Sequence, residues 1–147
     1  MRKEPTSESG PPVRISVAHC SAAEENKAVV RSIVEQVINR KKLAMVDELF
    51  SDEYQSHPSR HECPVGPQHA KRNFSRMHEA YPDLRAVIEE MVAEGDTVAL
   101  RLILCGTHLP TGQRTTWSAM AFARLAKGKV TEDWRLVDDR QLETRLV

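Results

Sequence analysis

The stretch Gly128-Lys129-Val130-Thr131-Glu132-Asp133-Trp134-Arg135-Leu136-Val137-Asp138-Asp139 separates by alternate residues into two sets. Val130, Glu132, Trp134, Leu136 and Asp138 fall on one side, and Lys129, Thr131, Asp133, Arg135 and Val137 on the other. A β-strand divides its side chains in this way. The first set is the more apolar, so it is expected to face inward and to carry Asp138 with it. A carboxylate beside apolar walls loses hydration in its charged form, which raises its pKa and suits it to carry protons near neutral pH. A strand-ending aspartate also caps turns, and alternation alone leaves both roles open.

Ala126-Lys127-Gly128, just upstream, reads as a three-residue hairpin loop with Gly128 left-handed, which pairs Leu125 with Lys129. That register sets Ser118 against Leu136, Met120 against Trp134 and Phe122 against Glu132, all on the face of Asp138. Trp117, Ala119, Ala121, Ala123 and Val137 take the opposite face. Three β-rich runs come before it: Leu84 to Ala93, closed by Glu94-Gly95-Asp96; Thr97 to Thr107, closed before Leu109-Pro110-Thr111-Gly112; and Thr115 to Leu125.

Helices come first in the chain. Ser21 stands three residues before Glu24, a capping-box spacing, and Val29, Val30, Ile33, Val34, Val37 and Ile38 form one apolar stripe. Leu43, Val46, Leu49 and Phe50 suggest a short second helix, and Asp52 to His57 an extended segment stopped by Pro58. Gly66-Pro67 opens a third helix through Ala80, with Ala70, Phe74 and Met77 at core spacing. Helices followed by an antiparallel meander give an α+β plan with a curved sheet and helices on one side.

A chain of 147 residues fits one domain with a sizeable core. Residues 1–20 are expected to be a flexible tail, since Met1 to Pro12 combine polar residues with three prolines, and 21–147 the folded domain. Lysine plus arginine balance aspartate plus glutamate at 21 each, so no overall field draws nucleic acid or an anionic membrane. No apolar run approaches the ~20 residues of a membrane span. Arg14 and His19 interrupt the apolar residues around Ile15 and Val17, too weak a core for a secretory signal, and a cytoplasmic protein is expected.

Cys20, Cys63 and Cys105 are odd in number and widely spaced, as reduced structural thiols are. His57, His61, Cys63 and His69 invite a metal reading, but Pro58 and Pro64 deny them a common helix face, and no metal is expected. Neither a G-x-S-x-G elbow nor a glycine-rich phosphate loop is present, which argues against nucleophilic-serine, hydride and phosphoryl chemistry.

The segments EENKAVVRSIVEQVINRKKLAMVDELF, SDEYQSHP, VGPQHAKRNF, YPDL, AEGDTVALR, CGTH, PTGQRTTWSAMAF and GKVTEDWRLVDD follow one another in this order. In that order and spacing the run from Glu24 to Val147 resembles the SnoaL-like polyketide cyclases of the nuclear-transport-factor-two-like superfamily. The resemblance implies a cone-shaped barrel: a strongly curved antiparallel sheet with three helices packed on its concave face. It also implies a pocket for a small hydrophobic organic substrate, worked without any cofactor.

Glu132, Trp134 and Asp138 fill the E-x-W-x-x-x-D signature, so the resemblance assigns acid/base catalysis to Asp138 and pocket positions to His57 and His108. The candidate catalytic residues are therefore Asp138, His108 and His57, and the candidate substrate-binding residues Trp134, Met120, Phe122, Ser118 and Phe74. Arg135 stands where the family usually has a small residue, and Arg140 where it has an apolar one. The function implied is cyclisation or isomerisation of a polyketide-like carbonyl compound by intramolecular aldol chemistry. A tailoring hydroxylase and a non-catalytic binding module are the alternatives. The apolar stripe from Trp117 to Val137 is expected to lie on the convex face and to pair two copies of the chain as a homodimer.

Overall fold

A computed structural model describes residues 21–57 and 64–138. The expected tail, Cys20, His61, Cys63, Asp139 and Arg140 lie outside the described residues. Helix α1 (Ala22–Ser32) starts at Ser21, whose hydroxyl accepts from the Glu24 N–H, and it continues into a π-helical stretch, Ile33–Asn39. Its stripe of Val30, Val34, Val37 and Ile38 is buried, as the helical period requires. A 3-10 turn (Leu43–Met45) and one turn of helix, α2 (Val46–Leu49), lead into strand β1 (Phe50–His57). Helix α3 (Pro67–Ala80) follows, with Pro67 in its first turn after Gly66 at φ 94°.

Strands β2 (Arg85–Glu94), β3 (Thr97–His108), β4 (Gln113–Ala126) and β5 (Lys129–Val137) form an antiparallel meander. The sheet order is β1-β5-β4-β3-β2, with β1 parallel to β5. The expected α+β architecture is present, with two refinements. The outermost pair is parallel, and β1 and β2 stand at opposite edges, so the sheet is open and not a closed barrel.

Both edges make contacts with neighbouring segments. Asn39, at the end of the first helix, donates from Nδ2 to the Ala86 carbonyl at 3.0 Å and accepts from the Ala86 N–H at 2.8 Å, as a strand's own peptide would. On the other side, the Gly66 N–H donates to the Tyr54 carbonyl and the Ser56 N–H to the Pro64 carbonyl.

The β4–β5 hairpin departs from the expected register. Its turn has two residues, Lys127 (φ 52°) and Gly128 (φ 75°), and pairs Ala126 with Lys129. Two positive φ values in succession match the twist of flanking strands better than a three-residue loop. Leu125 then pairs with Val130 and Arg124 with Glu132, so Thr131 is an extra residue in a β-bulge. The bulge reverses the alternation. Val130 is buried under the helices, and past Thr131 it is Asp133, Arg135 and Val137 that face them, while Trp134 and Leu136 turn away.

The two faces are consequently opposite to expectation. Thr115, Trp117, Ala123 and Leu125 are buried beneath the helices, whereas Met120, Phe122 and Leu136 are at least half exposed on the outer side. Val92, Ala99, Phe122, Trp134 and His57 make one row across all five strands of that outer side, and Glu90, Arg101, Met120 and Leu136 make the next. No helix among the described residues is long and apolar enough to cross a membrane.

Candidate active site

A cavity of about 150 Å³ lies between the helices and the sheet. Val34 and Ile38 of the first helix, Phe74 and Met77 of α3, Leu100 and Leu102 of β3, and Trp117 of β4 line it. Beneath them Ala119 and Ala121 are too small to fill the space the helices span, which is why a cavity persists in an otherwise packed core. Its size suits about one aromatic ring.

Asp133 and Arg135 are the only charged residues among the described ones that line this cavity, and both come from β5 beyond the bulge. Arg135 Nε lies 3.3 Å from Asp133 Oδ2. The hydroxyl of Ser56, a side chain 1% exposed, donates to Asp133 Oδ1 at 2.9 Å and accepts from Arg135 Nη2 at 2.9 Å. The parallel register of β1 on β5, with Ser56 beside Asp133, makes this closed triangle possible.

Tyr54, two residues before Ser56 and buried, brings its hydroxyl beside Ser56 and Asp133. Burial, reinforced by the negative charge of Asp133, pushes its phenol far above the ordinary range, so it stays protonated. With 14% of the Asp133 side chain and 35% of Arg135 exposed, this polar end is accessible to solvent.

His69, on the first turns of α3, stands close enough to feel the charges of Arg135, Arg72, Arg76 and Asp133. Burial lowers its pKa first and the three guanidinium groups lower it further, with Asp133 opposing them. Its Nε2 pairs with Asn73 Nδ2 at 2.8 Å.

The residues expected to form the site are dispersed. Phe74 lines the cavity, as expected. Asp138 is exposed on the outer face in a groove with Arg101, Ser118, Met120 and Leu136, and its N–H donates to the Ser118 carbonyl. Phe122 lies outside the cavity, and the Met120 side chain, though it borders the cavity, is 53% exposed. Trp134 is on the outer face too, stacked on His57 with ring centroids 4.7 Å apart and planes 8° from parallel. Arg124 covers the indole at 5.2 Å, and Glu132 reaches both His57 Nε2 and Arg124 Nη1.

His108 packs against Tyr81, which packs against the cavity-lining Trp117, so it stands one aromatic ring away from the cavity. Its Nδ1 contacts the Thr111 hydroxyl. No cluster of three or more metal-ligating side chains occurs among the described residues.

Sequence reasoning passed over Asp133, Tyr54 and Ser56, and marked Arg135 only as a departure from the family's usual small residue. Tyr54 and Ser56 alternate in SDEYQSH, and Asp133 and Arg135 alternate on β5, which is a usable signal. It was masked because the bulge at Thr131 cannot be seen in the alternation.

The model of the SnoaL-like polyketide cyclases matches residues 28–146, most of the chain. The chain belongs to that family. Among solved structures, AclR of Streptomyces galilaeus, a hydroxylase candidate, is 30% identical with a TM-score of 0.75, over 85% of this chain and 97% of AclR. A SnoaL-like cyclase candidate from Jannaschia sp. CCS1 is 21% identical with a TM-score of 0.77, over 83% of this chain and 91% of that one. IdmH of Streptomyces antibioticus, a polyketide cyclase candidate, is 22% identical with a TM-score of 0.71, over 82% of this chain and 97% of IdmH. The last two likenesses concern the fold alone. No curated protein matches the sequence. In this SnoaL-like chain the signature residues Glu132 and Trp134 therefore build the outer side of the sheet, and the cavity takes its charge from the residues between and after them.

Proposed function

We propose that this chain is a cofactor-independent cyclase or isomerase of a small carbonyl compound, with Asp133 as the acid/base residue. The observation that carries the reading is a carboxylate braced by a guanidinium and a buried hydroxyl at the polar end of an apolar cavity. A C–H bond next to a carbonyl breaks, the proton passes to an Asp133 oxygen, and the electron pair moves onto the carbonyl oxygen as an enolate. The positive charge of Arg135, at the same polar end of the cavity, stabilises the enolate as it develops. The enolate carbon then attacks a second carbonyl carbon, forming the new C–C bond. The displaced π pair becomes an alkoxide, which takes the proton back from Asp133. One carboxylate acting in both directions contributes about 10²–10⁴-fold, and a cavity that holds the substrate folded contributes by proximity.

Asp138 is set aside for this role because it opens onto the outer groove. The 30% identity to AclR favours a tailoring hydroxylase as the second reading. Deuterium exchange at the methylene of phenylacetone, a ketone with one ring, tests the first. Wild type should accelerate it and Asp133→Asn should not, and an unaccelerated exchange in wild type would turn the case toward hydroxylation or simple binding.

A further inference from the structure

We infer that the cavity selects an anionic substrate, a one-ring or similarly compact organic acid whose carboxylate is held by Arg135. The inference rests on the site proposed above and specifies its ligand. A ring ligand needs only the apolar walls, yet the cavity also receives a guanidinium, a group that stays charged and can donate to a carboxylate from an open nitrogen. Two of its nitrogens are engaged, Nε near Asp133 and Nη2 on Ser56, and Nη1 has no partner among the described residues.

The surroundings add to the same sign. Arg72 and Arg76 on α3 lie within electrostatic reach of His69, which also feels Arg135 and the single carboxylate of Asp133. On a chain that is neutral overall, three guanidinium groups and one carboxylate thus act together on the His69 imidazole. Partial burial strengthens such attraction relative to open water. Ser56 and Asp133 hold the guanidinium plane in place before the ligand arrives, so little ordering is left to occur on binding.

Phenylacetate and phenylacetamide, equal in size and differing in charge, provide the test. Calorimetric titration of wild type should give the acid about tenfold or greater preference over the amide, shrinking as potassium chloride is raised. Arg135→Gln should remove that preference and leave the amide's affinity in place, while Arg135→Lys should retain part of it. Arg72→Gln with Arg76→Gln, both at exposed positions, should weaken the acid only and flatten its salt dependence. Equal binding of acid and amide by wild type overturns the inference without recourse to any variant, and so does an equal loss of both ligands in Arg135→Gln. The catalytic proposal fails separately, by undiminished exchange on phenylacetone in Asp133→Asn, a variant that should still bind phenylacetate.

Discussion

Asp133 and Arg135 stand two residues apart on β5 and turn to the same side, with 3.3 Å between Oδ2 and Nε, whereas Asp138 lies on the other side of the same sheet. A single extra residue, Thr131, separates these outcomes. Asp133→Asn should therefore lower proton exchange on phenylacetone by about two or more orders of magnitude, and Asp138→Asn should leave it within about twofold. Melting curves of both variants separate folding from chemistry. Equal loss at the two positions would remove Asp133 from the catalytic role.

Ala121 sits where the cavity needs a small side chain. Ala121→Leu should occupy much of the free volume and abolish binding of phenylacetate, with Tm changed by only a few degrees because the space is already empty. Phe122→Ala, one residue away and pointing outward, should leave ligand binding intact. Titration of both variants with the same ligand checks the contrast, and unchanged affinity in Ala121→Leu would place the ligand elsewhere.

His78 donates from Nε2 to the Ile38 carbonyl at 3.0 Å, and burial lowers its pKa below the ordinary 6.5. The neutral ring is thus preferred in the folded state, while the unfolded chain takes up its proton first as pH falls. The stability this contributes is complete above about pH 6.5 and declines as pH drops toward the depressed folded value. His69, lowered for similar reasons, adds to the same slope. Thermal melts between pH 7.5 and 5.5 should show Tm falling, and His78→Gln, which keeps a donor, should flatten the curve. An unchanged slope in that variant would assign the acid sensitivity to other groups.

The expected homodimer requires a revised surface, since Trp117, Ala119, Ala121, Ala123 and Val137 face the helices. We propose that the pairing face is the outer rows, where Phe122, Met120, Leu136 and Val92 are half or more exposed. Arg101, flanked by Glu89 and Glu90, gives a patch of both signs that a twofold axis can match with itself. Sedimentation should give a dimer at micromolar concentration and a monomer for Phe122→Glu. A monomeric wild type would exclude the pairing.

Much of the architecture was legible in the residues. The helical stripe from Val29 to Ile38, Pro67 at the head of α3, and the Gly95 and Gly128 turns each announce an element through local chemistry. What alternation cannot give is which side is covered. Met120 and Phe122 were expected on the inner wall because the hairpin register put them with the more apolar set of β5, whereas the real inner wall carries Ala119 and Ala121, whose smallness leaves room for a ligand. The site was missed for a related reason. A bulge inserts one residue, and every side chain past it changes face.

Asn39 at one edge of the sheet and residues 64–66 at the other give the open sheet a further property. An uncovered strand is a template on which a neighbouring molecule can grow a continuous ribbon, and open sheets carry two. Here both templates are partly occupied by the chain itself, at Ala86 by a side-chain amide and at Tyr54 and Ser56 by main-chain groups. Loss of the Asn39 side chain should therefore free part of one template, and oligomers that grow with concentration are the first sign expected.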